Sequence, residues 1–403
     1  MPIVYVRLRQ ALFGWVHFAL AAPLIYLWVG LPLVMRQHSW SGTEIGLFQL
    51  AGLPAVFKLF LALPVQRWRS KQRPQLRWAW ITGGGYLLAL LGLAAMGADG
   101  HKGLLFALTF LAALFATWAD IPICALAIQL FPPEQRPLAG GVRSAVTFAG
   151  AVIGGGVMLL VQQAFGWSAP FLILAVCLLS ALALLGLVRE AARPTNTQHL
   201  PPFAMWRGFF RQTGAGIWTV ALLGYFPFVA AAWVYLKPLL LDRSFPANEV
   251  ALIAGVGGGA LGAAASLAVG FVPRGRMPSI LPLSASANVI ALALLAVATA
   301  YGSTDLLLGA AALLAIAMGV ASALAFALMM EFTRDGWQAA DYGLQASLFT
   351  FGRISVAPMT GVLLDRLGYS GMLSTLALAA LLVALFIAVG GKSAISLSKG
   401  GAQ

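Results

Sequence analysis

The chain has 403 residues, of which 61% are hydrophobic and only 9% charged, and it carries a formal net charge of +13. A soluble domain carries roughly a quarter charged residues, so this composition excludes an ordinary soluble globule. The positive charge sits in loops between apolar runs, which points to an anionic lipid surface and to no nucleic-acid partner.

The first 23 residues, MPIVYVRLRQALFGWVHFALAAP, imitate a secretory leader, but the apolar run continues to Met35. That exceeds the roughly 7–15 apolar residues of a cleaved leader, so the segment is read as a first transmembrane helix. A bilayer core about 30 Å thick needs about 20 apolar residues per helix. Twelve such spans are expected, over 12–34, 44–66, 78–98, 104–131, 141–164, 168–188, 215–241, 248–272, 278–300, 304–330, 339–363 and 369–390. Ser41-Gly-Thr-Glu44 has the capping-box pattern at the start of the second.

Of the 25 Lys and Arg residues, eighteen fall on one side of this threading, including the run Arg67, Arg69, Lys71 and Arg73 between spans two and three, Arg193 in the linker, and Lys392 and Lys399 at the end. Five fall on the other side: Arg36, Lys102, Lys237, Arg243 and Arg366. The positive-inside rule therefore places both termini in the cytoplasm. The polar stretch 189–214, with Pro194, Pro201 and Pro202, divides the chain into bundles 1–188 and 215–403. Within it MWRGFF (205–210) is read as a tether or a short interfacial helix. Cys124 and Cys177 lie inside apolar runs and match neither a disulfide framework nor the spacing of a metal motif.

The halves are related. GVRSAVTFAG (141–150) aligns with GLQASLFTFG (343–352), and GWS (166–168) with GYS (368–370), both at an offset of 202. Nearer the start of each half, Pro32 and Glu44 align with Pro238 and Glu249 at 206 and 205. An all-α membrane protein of twelve spans in two parallel six-helix repeats, joined by a cytoplasmic loop, has the architecture of the major facilitator superfamily. In it, cargo binds near the midplane and access alternates by rocking of the halves.

Three segments carry a closer resemblance: GLPAVFKLFLALPVQRW (52–68), DIPICALAIQLFPPEQRPLAGGV (120–142) and FGRISVAPMTGVLLDRLGYSG (351–371). They resemble the second-, fourth- and eleventh-helix signatures of the muropeptide-permease (AmpG-like) branch of that superfamily. A sister group of bacterial siderophore permeases, of rhizobactin and pyochelin type, is similar also at Asp341-Tyr-Gly-Leu-Gln345 and in its compact length. The resemblance implies a secondary transporter of the bacterial cytoplasmic membrane, a monomer without cofactor, that imports a siderophore or ferric siderophore with protons. A muropeptide permease and a drug or metabolite efflux transporter are the alternatives. The chain departs from the branch twice: the acid expected after Pro64 is Gln66, and the second acid expected four residues after Asp120 is Cys124.

Charged residues inside a span cost roughly 2.5–3.5 kcal/mol on insertion scales and mark pathways or pairs. Lys58, Asp120 and Arg353 are the three at depth. Asp120 is expected either to be the protonatable coupling carboxylate or to form a static ion pair with Lys58 or Arg353. Its repeat-equivalent position holds Ser322, so the half-bundle does not need a charge there. Arg353 and Lys58 are candidates for cargo contact, as are the aromatics Tyr26, Trp28, Tyr225, Trp233 and Tyr235, on helices that line the cavity in the superfamily. Gln66, Arg67 and Asp341 are candidates for gating at the cytoplasmic helix ends, although snorkelling and solvated loops account more simply for Asp341 and Glu331. His17 is read as a helix-packing or interfacial residue. The literal G-x-G-x-x-G at 257–262 lacks the strand-turn-helix setting that would make it a nucleotide loop. Small residues there and at Gly150 and Gly154 suit close helix packing instead. There is no Walker, zinc or nucleophile-elbow pattern, so no enzyme is expected.

Overall fold

The computed structural model describes residues 3–37, 40–67, 73–97, 101–190 and 201–397. Arg69, Lys71, Arg193, Pro194 and Lys399 lie outside the described residues. In a bilayer every backbone N–H and C=O must be satisfied within the protein, which leaves helices or a closed barrel. Among the described residues there are helices and no strand.

The spans are α1 (Val6–Arg36), α2 (Glu44–Arg67), α3 (Pro74–Met96), α4 (Lys102–Leu130), α5 (Pro133–Phe165), α6 (Ser168–Leu185), α7 (Ala215–Asp242), α8 (Ala251–Gly270), α9 (Ser279–Tyr301) and α10 (Thr304–Glu331). The last long segment, Gln338–Gly390, is continuous in hydrogen bonding but breaks at Gly368, with φ 66° and ψ −178°. A residue with a Cβ rarely adopts that conformation. The break makes two spans, α11 (338–367) and α12 (369–390), so twelve spans stand among the described residues. The expected capping box is present: the Ser41 hydroxyl accepts from Glu44 N–H at 3.2 Å, and the Glu44 carboxylate accepts from Ser41 N–H at 2.8 Å. Lys102 closes the same corner with an ion pair to Glu44 at 2.6 Å. MWRGFF lies in a short helix, Pro202–Phe210, which buries Met205 and Phe209 and exposes Phe203 and Phe210.

Two compact units result. The first comprises Met1–Pro132, Val146–Leu200 and Thr333–Ser347; the second comprises Pro133–Ala145, Pro201–Phe332 and Leu348–Gln403. They follow the two sequence halves except at the first turns of α5 and α11, each of which packs with the other half. Glycine permits both exchanges. A Cβ on Gly141 would lie 2.6 Å from the Ser266 carbonyl oxygen in α8, and one on Gly343 would collide with the Ala62 side chain in α2.

The repeat seen in sequence recurs in hydrogen bonding. Ser168 Oγ donates to the Ala94 carbonyl at 2.6 Å, and Ser370 Oγ, 202 residues on, donates to Ala296, also 202 residues on, at 3.4 Å. Tyr86 OH donates to the Leu20 carbonyl at 3.4 Å, and Asn288 Nδ2 to that of Tyr225 at 2.9 Å. Position 288 is again 202 beyond 86, and 225 is 205 beyond 20. Later in each half, Gly150 packs against the Ala22 backbone of α1 as Gly352, 202 residues on, packs against the Leu223 backbone of α7. The glycine-rich 257–262 segment spans the end of a wide turn and the start of helix in α8, and Gly262 lies against Gly319 of α10 with no room for a Cβ. Close packing, not nucleotide binding, explains those residues. Gly319→Val is expected to cost about 1–3 kcal/mol by overpacking, read as a lower midpoint in thermal unfolding of the detergent-solubilised protein. Gly103→Val, where a Cβ would meet nothing within 4 Å, should leave the midpoint nearly unchanged.

Candidate functional site

Asp120 sits in α4 two residues before Pro122, whose missing N–H leaves one helix hydrogen bond unmade. The following turn of α4 is held in an apolar cluster: Ile121 and Ala125 from α4, Ala62 and Val65 from α2, and Ala339 from α11 pack together, flanked by Trp78 and Trp118. The Asp120 carboxylate itself has polar neighbours on both oxygens.

Lys58 Nζ donates to Asp120 Oδ2 at 2.7 Å, with 12% and 13% of the two side chains exposed. Local sequence places Lys58 there. The 3-10 segment Gln49–Ala55, which contains Pro54, ends in a turn, and α-helical geometry resumes at Lys58. The next backbone N–H, of Leu59, donates to Ser347 Oγ of α11 at 2.7 Å. Tyr342 OH donates to the same Asp120 Oδ2 at 2.6 Å, and Lys58 Nζ lies 5.6 Å from the centre of the Tyr342 ring. Gly343 brings the α11 backbone against α2 and so delivers this hydroxyl. The other oxygen, Oδ1, faces Cys124 Sγ at 3.5 Å and His17 Nδ1 at 3.7 Å. His17 and Cys124 are both buried.

Four helices thus converge on one carboxylate. Sequence reasoning anticipated Lys58 or Arg353 as partner; the structure pairs Lys58, and Arg353 lies in the second unit with an exposed side chain. Sequence reading places Tyr342 only within the Asp341–Gln345 resemblance, and takes His17 as a packing or interfacial residue rather than a neighbour of Asp120. Nothing in local sequence marks His17, because its proximity depends on how α1 packs on α4. Cys124 had a signal in its spacing, since residues four apart share a helix face.

A second polar knot lies at the start of α11. The Asp341 carboxylate accepts from Arg334 N, Nε and NH2 at 2.9, 2.9 and 2.6 Å and is 1% exposed. Sequence reading placed Asp341 near solvent; pairing with Arg334 is what permits its burial. Gln66 Nε2 donates to the Gly336 carbonyl at 2.7 Å, and Gln66 Oε1 accepts from Ala340 N–H at 3.4 Å. Gln66 therefore still joins the end of α2 to the loop before α11, through neutral bonds, while Arg67 is exposed. In the second unit, Glu331 at the end of α10 is not merely solvated. It pairs with Arg274 at 2.8 Å and Arg136 at 3.6 Å.

The aromatic candidates are spread through helix packing. Tyr26 is fully buried, edge-on to Phe171 with ring centres 5.4 Å apart. Tyr225 is buried with its hydroxyl 2.5 Å from Ser284 Oγ. Trp28 stands 6.3 Å from Phe48, Trp233 lies over Gly258, and the Tyr235 hydroxyl approaches the Ala357 carbonyl at 3.5 Å.

Comparison with known proteins agrees with this architecture. The family model described as Major Facilitator Superfamily matches residues 13–352. Among solved structures, the human organic anion transporter MFSD10 (TETRAN) superposes with a TM-score of 0.76 at 14% identity, covering 96% of this chain and 100% of that one. A bacterial homologue of the iron transporter ferroportin, outward-facing, gives 0.73 at 17% identity, covering 95% and 99%. The E. coli fucose:proton symporter FucP gives 0.72 at 16%, covering 95% and 98%. At these identities the likeness is one of fold alone.

Proposed function

We propose, given that the chain belongs to the Major Facilitator Superfamily, that it is a proton-coupled secondary transporter in which Asp120 is the titrating group. The observation that carries this reading is the Asp120 carboxylate held by Lys58 of α2 and Tyr342 of α11, with 13% of its side chain exposed. Protonation would neutralise the partner of Lys58, and deprotonation would restore it. One proton would thus change both the Lys58 pair within the first half and the Tyr342 bond that joins α4 to α11 of the second, and a proton-dependent bond between halves is what coupling in an alternating-access transporter requires.

The Ser322 position supports the same view. Were the pair only a packing device of the half-bundle, the repeat would need it twice, yet only one half has it. Gln66, Arg67 and Asp341, with its partner Arg334, remain the candidates for a gate at the start of α11, and Arg353, Tyr235 and Trp233 those for cargo contact.

The cargo assigned here is a siderophore or its ferric complex, imported across a bacterial cytoplasmic membrane with both termini inside. Its support is the likeness of 52–68, 120–142, 341–345 and 351–371 to siderophore and muropeptide permeases. The test is uptake of labelled ferric siderophore, and separately of labelled muropeptide, into cells with and without the gene. Protonophore-sensitive accumulation of the siderophore is expected. Accumulation of muropeptide alone would reassign the cargo, and accumulation of neither would overturn the import reading.

A further inference from the structure

His17, Asp120 and Cys124 present a ring nitrogen, a carboxylate oxygen and a sulfur that all lie within 4.8 Å of one another in the first unit, with His17 and Cys124 buried and Asp120 nearly so. We infer that these three residues bind a free divalent late first-row transition-metal ion, of the class of Zn2+, Co2+ or Fe2+.

The His17–Asp120 separation suits a shared ion better than a direct hydrogen bond, while Cys124 Sγ already donates to Asp120 Oδ1. The Nδ1–Oδ1 distance of 3.7 Å exceeds the roughly 2.7–3.2 Å of a good N–H···O hydrogen bond. Ligands bound at about 2.0–2.3 Å in a tetrahedron stand about 3.3–3.6 Å apart. The Sγ–Oδ1 distance is already 3.5 Å. The third separation, His17 to Cys124, is within 4.8 Å, so about 1.3 Å or less of closure, shared between the two side chains, completes the set.

Donor chemistry selects the ion. A nitrogen, a sulfur and one oxygen suit borderline d-block cations, whereas Ca2+ and Mg2+ require shells of oxygen. With Cys124 as thiolate the ligands carry two negative charges, one of them offset by Lys58, so an anion such as hydroxide in the fourth position completes the balance; the thiol proton leaves as the metal enters. Three protein ligands leave the fourth tetrahedral position open, as in sites that exchange a ligand rather than close around the ion. The ion in a ferric siderophore is already enclosed by its chelator, so this site takes the free ion.

Lys58 does not stand in the way. It and Tyr342 both occupy Asp120 Oδ2, leaving Oδ1 turned to His17 and Cys124. They are placed as the outer hydrogen-bond donors that orient a ligating carboxylate. The departure of residue 124 from the acid of the resembled branch then exchanges a hard ligand for a soft one. The inference concerns binding and stands whether or not Asp120 also couples protons to transport.

The test uses the purified full chain in detergent, titrated with Co2+ and then with competing Zn2+. A thiolate-to-metal charge-transfer band in the near ultraviolet is expected, lost on Zn2+ addition. It should persist in Cys177→Ser and vanish in Cys124→Ser, and His17→Gln should weaken Zn2+ binding more than about tenfold, the range set even by outer partners. No band, or one that survives Cys124→Ser, overturns the site. X-ray absorption of the Zn2+-loaded native chain needs no variant. One sulfur at about 2.3 Å supports the site, and a shell of nitrogen and oxygen alone overturns it.

Discussion

Asp120→Asn is expected to abolish uphill accumulation of cargo while leaving exchange of cargo across the membrane intact. Asn retains the shape and can still accept from Tyr342, but it neither titrates nor neutralises Lys58. The transporter would then equilibrate cargo and no longer respond to the proton gradient. The variant also leaves a buried ammonium uncompensated, which costs about 3–5 kcal/mol when one partner of a buried pair is removed. Stability and coupling are separated by the double replacement Lys58→Met with Asp120→Asn, which removes both charges. If the pair is only structural, the double variant recovers both expression and accumulation. If Asp120 couples protons, the double variant recovers expression and remains unable to accumulate. Counterflow and protonophore-sensitive uptake, measured in parallel, give the two readouts. Normal accumulation by Asp120→Asn alone would end the coupling assignment.

Gly343→Val is expected to have the second largest effect. A Cβ at this position would collide with Ala62 and lie 3.1 Å from the Lys58 carbonyl oxygen, so the first turns of α11 could not seat on α2. Overpacking of about 2 kcal/mol shifts the seated population by roughly thirtyfold, at tenfold per 1.4 kcal/mol. Tyr342 would withdraw from Asp120, the carboxylate that Cys124 also touches. Cys124 is fully buried in the native arrangement, so its alkylation rate reports the change directly. In a Cys177→Ser background, modification of Cys124 should rise about thirtyfold in Gly343→Val. An unchanged rate would show that seating of α11 does not cover the site.

Both predictions concern residues whose meaning was unequally visible in sequence. Asp120 and Lys58 stood out because a charge within an apolar span is expensive and rare. Tyr342 and His17 did not, since a tyrosine in a membrane helix and a histidine near a helix end have many ordinary uses. Gln66 appeared as the loss of an acid. Its two hydrogen bonds to the loop and first turn of α11 show how an amide can still join those elements. Asp341 looked like a solvated helix end until Arg334 was seen to fold back on it.

The sequence by itself determined the class, the number of spans and the repeat. Hydrophobic length, glycine and proline punctuation and the 202-residue offset are properties of position along the chain, and the bilayer converts them directly into helices. Only the tertiary structure decided which side chains share a pocket. That depends on the rotation of each helix about its axis and on where glycines such as Gly154 and Gly343 let backbones touch. Uniformly apolar helices carry little periodic record of that rotation, so the company Asp120 keeps with Lys58, Tyr342, His17 and Cys124 is written in packing rather than in pattern.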